Sequence, residues 1–136
     1  MQDALDRDRR PLILVADDEA EIAALVAIAL SRAGFDVVTA ANGAEALDAA
    51  LERQPDACVL DIMMPEVNGY EVVRMLKSGP LTSAIPIVLL SARAGGLDRE
   101  YGLRVGADAY IRKPFPPREL GETVRALIES SAERRV

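Results

Sequence analysis

Five residues able to do chemistry stand just past short apolar runs of this chain. Asp17 and Asp18 follow residues 12–16, Asp61 follows 57–60, Ser91 follows 85–90, and Lys113 comes shortly after 109–111. Three carboxylates gathered in one crevice would repel each other by about 4 kcal/mol per close pair at an effective dielectric near ~20, so positive charge must accompany them. Lys113 supplies one charge. With oxygen ligands only, the rest falls to a hard divalent cation, Mg²⁺ or Mn²⁺ in its place, keeping some of its waters. A carboxylate beside such a cation, a lysine and a hydroxyl has what phosphoryl transfer to an aspartate needs: neutralised equatorial oxygens and a nucleophile that attacks in line. The chain has no histidine and a single cysteine, Cys58, in an apolar run. Ser-His-Asp and Cys-His nucleophile systems, His proton shuttles, HExxH centres and structural zinc sites are thereby excluded.

The elements that must carry these residues alternate in type. Five apolar runs, residues 12–16, 36–40, 57–60, 85–90 and 109–111, read as strands. Between them, helical spacing recurs in Ile22, Leu25, Val26 and Ala29, in Leu47, Ala50 and Leu51, and in Gly69, Val72, Val73 and Leu76; Leu120, Val124, Leu127 and Ile128 close the chain. The fourth helix, about residues 97–105, has the thinnest stripe, and Gly102 interrupts it. Gly34 and Gly106 read as helix stops. Alternating strands and helices make βαβ units, and an apolar run without alternation, such as residues 12–15, is a strand covered on both faces. The expected fold is α/β, a doubly wound (βα)5 three-layer sandwich on a five-stranded parallel sheet of flavodoxin-like order 2-1-3-4-5. Ligands of such sheets bind beyond the carboxyl ends of the strands, where strand order reverses. The reactive residues fall on the four strands lining that crevice, while strand two ends in Ala40 and Ala41.

Singly, each residue has a plainer use: Asp17 or Asp18 as a helix cap, Asp61 opening a turn into Pro65, Ser91 as a cap, Lys113 as a solvated lysine. Their joint placement at four matching strand ends favours the shared site. The 136 residues make one domain, expected over 11–128, with 1–10 and 129–136 as flexible extensions. A formal charge of −6, from 16 basic and 22 acidic residues, argues against sequence-independent nucleic-acid binding and suits a cation or a basic partner. There is no apolar run of membrane-spanning length and no signal-peptide pattern at the start, and the chain is expected to be cytoplasmic.

At this point the residues resemble a family. Ile13-Leu14-Val15-Ala16-Asp17-Asp18-Glu19, Asp61-Ile62-Met63-Met64-Pro65 with Gly69, Ser91-Ala92, and Asp108-Ala109-Tyr110-Ile111-Arg112-Lys113-Pro114-Phe115 together resemble the receiver domains (CheY-like) of response regulators in bacterial two-component signalling. The resemblance runs from about residue 11 to 128. It implies that Asp61 is the phosphoacceptor and that Asp18 binds Mg²⁺ directly. Asp17 would bind it partly through water, and the backbone carbonyl of Met63 would be a further ligand. It implies that Ser91 hydrogen-bonds the phosphoryl group beside small Ala92, that Lys113 pairs with it, and that the Lys113–Pro114 peptide is cis. Tyr110 would be a switch aromatic that follows Ser91. Output would leave by the face of the fourth helix, fifth strand and fifth helix, with Tyr101, Arg104, Tyr110 and Arg118. Met63 and Arg93 occupy positions that tune dephosphorylation, and their bulk predicts a long-lived phosphoryl state.

The phosphoryl donor has to be a histidine kinase, a histidine phosphotransfer protein or a small phosphodonor, because this chain has no histidine of its own. The expectation is a stand-alone switch without a DNA-binding output domain, signalling to a downstream protein as a monomer or phosphorylation-induced dimer. The alternative is a receiver cut from a longer regulator or hybrid kinase. A Mg²⁺-dependent phosphatase with an aspartyl nucleophile would need a second acid two residues after Asp61, where Met63 stands. A nucleotide-binding module would need glycines or a lysine in the turn occupied by Asp17-Asp18-Glu19. A degenerate receiver, used only for docking, would not need the acidic pair, Ser91 and Lys113. No turnover of outside substrates is expected, so the chain is not read as an enzyme.

Overall fold

The computed structural model of the chain describes residues 9–92 and 96–135. Five parallel strands, β1 (Leu12–Ala16), β2 (Asp36–Ala40), β3 (Ala57–Asp61), β4 (Ile87–Ser91) and β5 (Ala109–Arg112), pair in the order β2-β1-β3-β4-β5. They alternate with α1 (Ala20–Arg32), α2 (Gly43–Arg53), α3 (Gly69–Ser78), α4 (Gly96–Arg104) and α5 (Pro117–Arg135). The expected strand order and layering are those observed.

Strand alternation divides the core into two halves. Ile13, Val15, Val59, Val88, Leu90 and Ile111 point to the face covered by α1 and α5, where they meet Val26, Leu30, Leu120 and Val124. Leu14, Cys58, Leu60, Ile87 and Leu89 point to the other face, against Ala46 and Ala50 of α2 and Val72, Val73 and Leu76 of α3. Covering both faces is what makes these strands apolar throughout rather than alternating.

Local chemistry sets the ends of the elements. Asn68 caps α3 with a full capping box: its side chain accepts from Glu71 N at 3.0 Å while Glu71 accepts from Asn68 N at 3.3 Å. Gly34 and Gly106 leave their helices at φ +104° and +120°, a conformation that favours glycine. β4 starts at Ile87 rather than at 85, because the Ile85 amide bonds back to Thr82 and Pro86 has no amide to give a ladder.

Three expectations need adjustment. The extension expected from residue 129 continues α5 to Arg135, with Ser131 buried against the turn before β4 and donating to Ala84 O at 3.4 Å. The stripe of α1 turns on Ala23, Val26 and Leu30, leaving Leu25 63 % exposed. In α2 the buried side is Ala46 and Ala50, and Leu51 faces solvent. No helix among the described residues is long and apolar enough to cross a membrane.

Candidate functional site

The site forms where β1, β3 and β5 release their chains at the carboxyl edge. By alternation, Asp17, Asp61 and Lys113 continue the side of their strands that carries Val15, Val59 and Ile111. Ser91 and Tyr110 continue the opposite side, with Leu89. Since Leu89 pairs with Tyr110 across β4 and β5, Ser91 is the diagonal neighbour of Tyr110 on one face. The strand pleat thus separates a charged trio from a hydroxyl–aromatic pair, and both begin at the same sheet edge.

The trio is tight. One carboxylate oxygen from each of Asp17, Asp18 and Asp61 falls within a group no wider than 4.8 Å. Asp17 and Asp61 are buried, at 3 % and 6 % exposure, whereas Asp18 is exposed. Lys113 Nζ lies 3.0 Å from Asp61 Oδ1 and 3.5 Å from Asp17 Oδ2. Asp17 Oδ1 accepts the Glu19 amide at 2.9 Å, so the plainer use of Asp17 beside the start of α1 coexists with its place in the cluster. Its other oxygen is buried without a hydrogen bond.

Burial, and after it the charge of Asp61, pushes the Asp17 carboxyl above its ordinary value, against the Glu19 amide and Lys113. Burial alone would lower Lys113, but the hydrogen bond and charge of Asp61, joined by Asp17, outweigh it and hold the ammonium above its usual pKa. The thiol of Cys58, three residues before Asp61 on the other face of β3, is fully buried, and burial pushes it up to about 12, so it offers no nucleophile.

A metal fits these residues. Three carboxylates against one ammonium leave two negative charges uncompensated, and the buried Asp17 oxygen has no hydrogen bond and, among the described residues, only the Lys113 ammonium near it, at 3.5 Å. All donors are hard oxygens, which is the ligand chemistry of Mg²⁺. Asp18 and Met63 also border a cleft of about 540 Å³, shared with Met64, Pro65, Asn68 and Tyr70. The Met63 side chain is 52 % exposed at its lip.

The remaining expected residues lie as follows. Ser91 is fully buried at the end of β4, and Ala92 next to it is exposed. Arg93 lies outside the described residues. The Lys113–Pro114 peptide is cis. Tyr110 is half-buried, and its hydroxyl is enclosed without a hydrogen bond. Tyr101, Arg104 and Arg118 are exposed. Sequence reasoning did not single out Tyr70 or Arg74. Both stand in the first two turns of α3, close behind the Asp61 loop, and that proximity was the available signal.

Comparison with known proteins agrees with this geometry. Residues 13–125 match the family of the response regulator receiver domain. The chain is 44 % identical over 119 residues to the alkaline phosphatase synthesis transcriptional regulatory protein PhoP of Bacillus subtilis, covering 88 % of this chain and 49 % of that protein. It is 44 % identical over 117 residues to the DNA-binding response regulator MtrA of Mycobacterium tuberculosis, covering 86 % and 50 %. The chain therefore spans about half the length of these curated relatives. Among solved structures, the receiver domain of Francisella response regulator 1452 superposes with a TM-score of 0.84 at 32 % identity, over 90 % of this chain and 99 % of that one. The chemotaxis response regulator CheY4 of Vibrio cholerae gives 0.81 at 31 %, over 88 % and 99 %.

Proposed function

The chain belongs to the response regulator receiver domain family, and on that premise we propose that it is a phosphorylation switch with Asp61 as its phosphoacceptor. One observation carries the assignment: of the three clustered carboxylates, Asp61 is the one that ends the central strand β3, and Lys113 lies closer to it, at 3.0 Å, than to Asp17, at 3.5 Å. Receiver domains interact with histidine kinases or phosphotransfer proteins and bind Mg²⁺ at an acidic pocket. Here Asp17, Asp18, Asp61 and the Met63 carbonyl would hold the ion. When bound, it supplies the positive charge that lets a carboxylate approach an anionic phosphoryl group. The Asp61 carboxylate forms the new bond to phosphorus as the donor's bond breaks, and the electron pair leaves with the donor's imidazole or carboxylate. Lys113 stabilises the charge on the phosphoryl oxygens, and the Ser91 hydroxyl bonds one of them.

The switch would be read through Ser91 and Tyr110, which share a face of the sheet, and through the surface of α4, β5 and α5 bearing Tyr101, Arg104 and Arg118. The exposed Met63 side chain would impede water at the acyl phosphate and lengthen its life; a half-time of seconds would count against that. Lack of a second acid at Met63 favours a switch over turnover of outside substrates. The relatives favour the receiver portion of a longer regulator over the stand-alone switch expected from sequence, since PhoP and MtrA are about twice as long and are named as transcriptional and DNA-binding regulators. In that setting the acidic receiver would leave DNA to another part of the regulator. A cytoplasmic location follows from the same proposal.

Intact-mass measurement after incubation with Mg²⁺ and acetyl phosphate tests the assignment. A single phosphoryl adduct is expected, absent in Asp61→Asn and in the presence of chelator. An undiminished adduct in Asp61→Asn would refute it, and sustained hydrolysis of an external phosphomonoester would favour the phosphatase reading instead.

A further inference from the structure

All three tyrosines of the chain meet at one place, around Gly102 of α4. A methyl group on Gly102 would stand 3.0 Å from Leu89 Cδ1, 3.4 Å from Tyr110 Cδ2 and 3.5 Å from Tyr70 Cε1. The glycine that interrupts the helical pattern is therefore what lets α4 approach the sheet between two aromatic rings. Across residues 99–104 it is also the only buried position. A stretch of helix with so little of its own surface in the core is weakly held unless something outside the core restrains it.

That restraint comes from α3. The Tyr70 and Tyr101 rings meet edge to face, with centroids 4.7 Å apart and planes at 81°. One turn further along α3, Arg74 Nη2 donates to the Tyr101 hydroxyl at 2.8 Å. Tyr70 also borders the cleft shared by Asp18, Met63 and Asn68. One side chain thus touches both the rim of the acidic site and the helix of the expected output face. Tyr110, on the other side of Gly102, keeps a buried hydroxyl without a hydrogen bond, an arrangement that is costly to keep and easily exchanged for another.

We propose that Tyr70, Arg74 and Tyr101 form a clasp that fixes α4 in its unphosphorylated position, with Tyr70 as the positioning residue that ties that position to the acidic cleft. The proposal rests on the reading of Asp61 as phosphoacceptor. It adds a route across α3 to the one along Ser91 and Tyr110. The linkage has a definite sign. If the clasp favours one position of α4 and the phosphoryl group favours another, each opposes the other by the same free energy, and loosening the clasp makes phosphorylation easier.

The test measures the initial rate of adduct formation with Mg²⁺ and acetyl phosphate, alongside the melting temperature, in the full chain. Arg74→Ala removes an exposed side chain and preserves the core. Tyr101→Phe keeps the ring and removes only the hydroxyl. Both are expected to phosphorylate about threefold to tenfold faster than wild type, the scale of one lost hydrogen bond between the two states. The double variant should be no faster than either single one, because both break the same bond. Because the chain has no tryptophan, near-ultraviolet circular dichroism in the tyrosine band reports on this cluster, and it should change on phosphorylation of the wild type. A merely structural contact would lower the melting temperature and leave the rate alone. Unchanged or slower rates in folded variants, or a constant tyrosine signal despite complete adduct, would overturn the clasp while leaving Asp61 in place. Absence of any adduct in the wild type would overturn both.

Discussion

Asp17 is the carboxylate of the site whose surroundings oppose its charge. Its carboxyl is raised above 3.8 chiefly by burial and then by Asp61, with the Glu19 amide and Lys113 offsetting only part. A carboxyl whose folded pKa lies above its unfolded one binds more protons when folded, so its contribution to stability is fully present below pH 3.8. It is lost as pH rises through the folded value. At neutral pH the charged Asp17 therefore lowers the stability of the fold when Mg²⁺ is withheld, and Asp17→Asn should raise it at pH 7 in the presence of chelator. The amide oxygen still accepts from Glu19. The gain should shrink as pH falls through the Asp17 titration, because protonated Asp17 and asparagine are then alike. Parallel denaturant titrations at pH 7 and in mild acid measure this, and an advantage that persists or grows in acid would contradict it. The same variant should lose Mg²⁺-dependent phosphorylation, so stability and function part at a single residue. Lys113 has the sign usual for a partnered lysine: its contribution is complete below 10.5 and disappears as pH rises through its higher folded value. The residue-scale chemistry was legible because, with no histidine and a single cysteine, it had to run on carboxylates, hydroxyls, lysine and backbone, and these stood at matching strand ends. The burial that raises Asp17 was not legible, since it depends on what the fold puts over the side chain.

At the scale of elements, the start of α3 has the least freedom near the acceptor. A methyl group on Gly69 would lie 2.6 Å from the Asp61 carbonyl oxygen and 2.8 Å from Ile62 Cα, and both are backbone atoms that cannot turn aside. Gly69→Ala must therefore move α3 away from the end of β3. It is expected to cost about 2–3 kcal/mol, as overpacked cores do, and to slow adduct formation because Asp61 moves too. A urea midpoint equal to wild type would show that the helix start yields more easily than this geometry allows. Gly69 was visible in sequence only as part of a motif and as one member of an apolar stripe; its contact with the Asp61 backbone appears only in the fold. Strand positions were read well because a strand buried on both faces is apolar at every residue, as in residues 12–16 and 57–60. Helix faces were harder. α1 is apolar on nearly every side, so Leu25 and Val26 were equally eligible for the core, and only packing against β1 and α5 chose Val26. α4 was hardest, since over residues 99–104 its hold on the molecule comes from Gly102 and from aromatic partners on another helix rather than from a stripe of buried residues.

For the whole molecule, the apolar surface that the core did not take raises the question of how a donor protein reaches Asp61. Leu25 and Ile28 of α1 are 63 % and 50 % exposed. They line a groove of about 750 Å³ that also includes Phe115 and runs to Lys113 and Pro114 at the edge of the acidic site. Arg32 and Arg118 border the same groove, giving an apolar floor with a basic rim, the usual make-up of a protein-binding surface. A phosphorylated histidine has to be brought within bonding distance of Asp61 and held there while the bond changes hands. A small donor such as acetyl phosphate needs no such surface. Leu25→Glu places a charge on the groove floor without touching the buried Val26 or Leu30. It should slow phosphoryl transfer from a phosphorylated histidine kinase or phosphotransfer protein by about tenfold or more, the effect of losing one central apolar contact. The rate with acetyl phosphate and the melting temperature should remain at wild-type values. Equal slowing with both donors would mean that the substitution damages the site itself, and equal rates with both would place donor docking on another face of the molecule.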